Sequence, residues 1–86
     1  MMTDSELKRL AQSSAGEWFA KSRRNVDRWG VQDTCTLLAV AQEELGEVAQ
    51  AFLQATHERG DRGRVLAELS DLGAVLFQIL ESELKR

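Results

Sequence analysis

Residues 34–52, Thr34-Cys35-Thr36-Leu37-Leu38-Ala39-Val40-Ala41-Gln42-Glu43-Glu44-Leu45-Gly46-Glu47-Val48-Ala49-Gln50-Ala51-Phe52, decide how this chain is read. Leu37, Leu38, Ala41, Leu45, Val48 and Phe52 recur at the three- and four-residue spacing that places side chains along one side of a helix. Asp33 or Thr34 supplies an N-cap, and no proline occurs anywhere in the chain to interrupt a helix. The spacing therefore predicts a helix from about Thr34 to His57, closed by His57-Glu58-Arg59-Gly60.

Working outward, Asp61 caps a further helix from about Arg62 to Lys85, with Val65, Leu69, Leu72, Val75, Leu76, Ile79 and Leu80 as its apolar set. The joint between these two helices is short, so they are expected to form an antiparallel hairpin with apolar stripes turned inward. On the N-terminal side a first helix is expected from Thr3 or Asp4 to about Arg28, carrying Leu7, Leu10, Ala11, Trp18 and Val26. Ser13, Ser14 and Gly16 are poor helix formers and predict a break or bend near residues 13–16. Trp29-Gly30-Val31-Gln32 reads as the connector, with Gly30 suited to a C-terminal cap. The expected fold is all-α, one domain over residues 1–86, with three main helices.

Composition narrows the function classes. A formal net charge of −3 with 29% charged residues offers no broadly basic face for nucleic acid. The longest apolar runs, Leu37 to Ala41 and Leu72 to Phe77, fall far short of the roughly 20 residues that cross a bilayer. The N-terminal stretch carries Asp4, Glu6, Lys8 and Arg9, so no secretory signal is expected. Cys35 is the only cysteine, which rules out an internal disulfide and fits a cytoplasmic location. An 86-residue chain buries a modest core, and three helices present more apolar surface than one hairpin covers, so a homodimer or homotetramer is expected.

Two acidic groups interrupt the apolar patterns: Glu43-Glu44-Leu45-Gly46-Glu47 and Glu68-Leu69-Ser70-Asp71. Residues three and four apart are neighbours on a helix, so each group forms a carboxylate cluster beside core positions. A hairpin reversing near Gly60 sets Glu47 and Glu68 opposite one another. A Glu-Glu pair is more often a solvated surface, but ion pairing does not account for these acids. Among residues three or four away, Arg64 before Glu68 is the only Lys or Arg. Carboxylates crowded and partly desolvated take up protons or require a cation, and hard divalent ions suit all-oxygen ligands.

This pattern, Glu-Glu-x-x-Glu followed by Glu-x-x-Asp, resembles the signature of the MazG-like all-α nucleoside triphosphate pyrophosphohydrolases. The likeness includes the small and apolar positions of Ala41 to Ala51 and of Glu68 to Leu72, and spans about residues 34–80. It implies hydrolysis of a nucleoside triphosphate (NTP or dNTP) to the monophosphate and pyrophosphate, with Mg²⁺, or Mn²⁺ in its place, in a helical dimer or tetramer. The metal ligands it implies fall on Glu44, Glu47, Glu68 and Asp71, with Glu43 orienting water or supporting a second ion. On that reading a metal-held water attacks between the α and β phosphates.

Many members of that family carry phosphate-binding Lys or Asn residues in a segment after the acidic third helix, and residues 1–86 are expected to handle phosphate without it. Lys21, Arg24 and Arg28 of the first helix, with Arg64 near the joint, are the substitutes the sequence offers, alongside Arg23 and Arg62. Trp29 is a candidate base-stacking surface, while Trp18 reads as packing. His57 suits the C-terminal end of its helix, and Cys35 reads as a small packing residue. Two alternatives stand beside this reading. One is a non-catalytic helical interaction module. The other is a phosphoribosyl-ATP pyrophosphohydrolase, which the uncharged stretch Leu38 to Gln42 disfavours because a lysine usually precedes the paired glutamates there. A di-iron bundle requires Glu-x-x-His pairs, and Gln54 stands three residues before His57.

Overall fold

The computed structural model describes residues 1–57 and 60–85; Glu58 and Arg59 of the expected closing segment lie outside them. It is all-helical, with α1 over Asp4–Trp29, α2 over Thr34–His57 and α3 over Arg62–Leu84, and no strand among the described residues.

Helix α1 starts in a reciprocal cap. The Thr3 hydroxyl accepts from the Glu6 amide at 3.1 Å, and the Glu6 carboxylate accepts from the Thr3 amide at 3.0 Å. The expected break near residues 13–16 is absent, and α1 is continuous. One glycine and two serines cost a helix only about 1–2 kcal/mol together, and the cap and the packing of the later turns offset that. The helix ends at Gly30, whose φ of 79° and ψ of 176° lie where residues with a Cβ are strained. Asp33 then caps α2, accepting from the Thr36 amide at 2.8 Å, and Asp61 caps α3 through the Gly63 amide at 2.8 Å.

Helix α3 is the centre of the molecule: α1 and α2 each pack on it and, among the described residues, not on each other. Thr34 at the start of α2 donates to Glu83 at 2.6 Å and accepts from Ser82 at 2.9 Å, whereas Gln54 near the other end of α2 accepts from Arg64. The two helices therefore run in opposite directions. Polar ties also join α1 to α3. Arg23 forms a two-pronged pair with Glu81 at 2.8 and 3.0 Å, and Asn25 donates to Gln78 at 3.0 Å. Trp18 lies against Gly73, and Phe19 meets Phe77 edge to face with centroids 6.3 Å apart.

The fully buried apolar residues are few: Leu37, Ala51, Ala74 and Val75. The stripe of α2 that faces α3 runs through Leu37, Val40, Ala41, Glu44, Val48 and Ala51, so Leu45 and Phe52, expected inside, are exposed. The apolar arc of α2 is wider than one helix can cover, and α3 packs on the part that has small residues. Cys35, expected to pack, is exposed as well.

Candidate metal and nucleotide site

At 100° per residue, Glu44 falls at the middle of the α2 stripe bounded by Val40 and Ala41, not on its flank. It faces the turns of α3 that carry Glu68 and Asp71. One carboxylate oxygen from each of Glu44, Glu68 and Asp71 lies within 4.8 Å of the others, and all three residues are half-buried. The sequence motif thus becomes a three-carboxylate group held by two helices.

Its electrostatics are unbalanced. Oε2 of Glu44 and Oε2 of Glu68 are both buried without a hydrogen-bond partner. Burial, then the charges of Glu47 and Glu68, push the Glu44 carboxyl above the ordinary glutamate value, and Lys21 offsets only part of this. Two cations reach the group, each at a different acid. Lys21 of α1 pairs with Asp71 Oδ1, and Arg64 Nε stands 3.8 Å from Glu68 Oε1 one helical turn away.

The gap left between α1 and α2, floored by α3, is a cavity of about 350 Å³. Glu44 and Asp71 line it together with Lys21, Asn25, Trp29, Gln32 and Gln78. The cavity therefore has an acidic wall, an ammonium, amide side chains and an aromatic surface. Trp29 is 62% exposed at this position, and the Arg28 guanidinium lies 4.8 Å from its ring centroid on the outside.

Of the residues singled out in the sequence, Glu44, Glu68 and Asp71 come together, and Lys21 and Trp29 line a cavity with Glu44 and Asp71. Glu47 is exposed beside Glu44 and outside the group of three, and Glu43 is exposed farther round the helix. Arg24 and Arg28 are exposed and do not line the cavity, and Arg64 reaches the acids from outside it. His57 is exposed at the last turn of α2. Sequence reasoning missed Asn25, Gln32 and Gln78. Only Gln78 carried a signal, as the lone polar residue in the run from Leu72 to Leu80.

The donor set fits a hard divalent cation: carboxylate oxygens alone, with Oε2 of Glu44 and of Glu68 buried and unpartnered, and with Glu44 and Asp71 lining the cavity. No family model, curated protein or solved structure matches the chain.

Proposed function

We propose that the chain hydrolyses nucleoside triphosphates to the monophosphate and pyrophosphate with Mg²⁺, the ion being held by Glu44, Glu68 and Asp71 with Glu47 beside them. The observation that carries this reading is that Glu44 and Asp71, two of the three clustered and underneutralised carboxylates, line one cavity with Lys21 and Trp29. When bound, the ion would screen the polyphosphate charge, polarise the attacked phosphorus and acidify a water. In the reaction water adds at the α-phosphorus and pyrophosphate departs.

The chain's own residues divide the remaining work. Glu44, at the centre of the α2 stripe, fixes the acidic wall and offers the ion a carboxylate oxygen that no protein donor occupies. Lys21, paired with Asp71 at the acidic wall, supplies positive charge within the cavity for phosphate oxygens. Trp29 offers a flat face on which a base of any identity can stack. The same reading assembles the chain as a homo-oligomer through the apolar surface that α2 and α3 leave open.

The test is product analysis with individual NTPs and dNTPs, using the purified chain and Mg²⁺. Monophosphate and pyrophosphate are the expected products, and Asp71→Ala or Glu44→Ala should lower turnover by about 100-fold or more, as loss of a metal-site residue does. Turnover of no nucleotide, together with no heat of metal binding in calorimetry, overturns the proposal and leaves a non-catalytic helical module.

A further inference from the structure

Among the lining residues of the cavity Lys21 is the only Lys or Arg, and its ammonium is spent on Asp71, one of the three clustered acids. The other non-acidic polar groups of the lining, Asn25, Gln32 and Gln78, are neutral amides. Both partners of the pair are about one-third exposed, at 33% and 32%, so the contact is wet and weak enough to exchange. Arg64, the other cation at the acids, is tied to Gln54 as well and stands outside the cavity.

We propose that Lys21 occupies the cation's place on Asp71 in the metal-free protein and passes to a phosphate oxygen when a metal ion arrives, so that metal and polyphosphate bind cooperatively. This rests on reading Glu44, Glu68 and Asp71 as a divalent-metal site. A doubly charged ion at Asp71 repels the ammonium and takes the oxygen it was using. The lysine stem has four flexible carbons, and the acids that line the cavity, Glu44 and Asp71, are both ligands of the ion in this reading, so the displaced charge is left with neutral amides. An anion delivered with the metal gives that charge a partner. Lys21 is in this account a positioning residue that links two binding events, and the linkage is reciprocal: whatever the phosphate gains from Lys21, the metal gains from the phosphate.

The test uses the full chain and Mn²⁺, read as free Mn²⁺ by electron paramagnetic resonance, with and without inorganic pyrophosphate and with correction for the Mn²⁺ that pyrophosphate holds in solution. Without pyrophosphate, Lys21→Met and Lys21→Gln should bind Mn²⁺ about three- to tenfold more tightly than the parent, because a competing positive charge a few ångströms away is gone. Pyrophosphate should tighten Mn²⁺ binding in the parent and do so at least about threefold less in either variant. Equal or weaker Mn²⁺ binding by both neutral variants, or an unchanged response to pyrophosphate, overturns the role of Lys21 while leaving the metal site standing. Absence of Mn²⁺ binding in the parent and both variants overturns the site and this inference together.

Discussion

At the scale of single residues, Glu44 is where packing and chemistry conflict. It occupies the middle of the surface that α2 presses on α3, a position suited to a leucine, with one oxygen buried and unpartnered. Its folded-state pKa is raised by burial and by Glu47 and Glu68. The native state therefore holds its proton to higher pH than the unfolded chain does, and this group favours folding less as pH rises from the ordinary glutamate value of 4.5 through the raised one. Glu44→Gln keeps the shape without the charge. It should raise the stability of the metal-free protein at pH 7 by a few tenths to about 1 kcal/mol and lose that advantage in acid. Thermal melts with EDTA at both pH values check this, and a variant less stable at pH 7 would contradict it. The acids were legible in the sequence because charge inside an apolar pattern stands out. The Lys21–Asp71 and Asn25–Gln78 contacts were not, since they join positions 50 and 53 residues apart that share no local period.

At the scale of elements, α3 organises the molecule, and Gly73 shows how closely α1 approaches it. A Cβ on Gly73 would lie 2.4 Å from Trp18 Cδ2 and Cε3, well inside any real contact. Replacing glycine by alanine within a helix gains about 1 kcal/mol in propensity. Forcing a packed ring aside costs about 1–3 kcal/mol, and at so short a separation the upper part of that range applies. Gly73→Ala should therefore be destabilising by about 1–2 kcal/mol, a fall in Tm of about 4–8 °C per kcal/mol for a domain of this size. Gly16→Ala, where an added Cβ meets nothing within 4 Å, should move Tm the other way. If both substitutions raised Tm, the Trp18 contact would not be holding α1 in place. Helix existence and ends were readable, because Gly30 and Asp61 are chemically marked and stand where expected. The selection of a buried stripe on α2 was not, because the apolar arc includes both Leu37–Val48 and Leu38–Leu45–Phe52, and only the tertiary partner chooses between them.

At the scale of the whole molecule, the arrangement leaves more surface uncovered than is usual for a folded monomer of this mass. Its accessible area is 6408 Å², against about 5,100 Å² expected from the surface–mass relation for a folded monomer of 9.6 kDa. The excess of about 1,300 Å² exceeds the roughly 800 Å² per partner that a standard interface buries. Much of it is apolar. Leu38, Leu45 and Phe52, seven residues apart, are 53%, 57% and 46% exposed, and Leu76 and Leu80 of α3 are 51% and 52% exposed. Spacing of seven keeps the α2 stripe straight, the form in which one helix packs on another. In the proposed homo-oligomer a helix from a second copy would supply that on the Leu38–Leu45–Phe52 side of α2, none of whose three residues lines the cavity. Light scattering at micromolar concentration should give a mass of at least two chains. Leu45→Glu, which places a charge in the stripe without touching the clustered acids, should shift that mass toward one chain and lower Tm, since the fold loses its cover along with its partner. A parent protein that is monomeric at that concentration, or a Leu45→Glu protein of unchanged mass, would show that the α2 stripe is not the contact between copies.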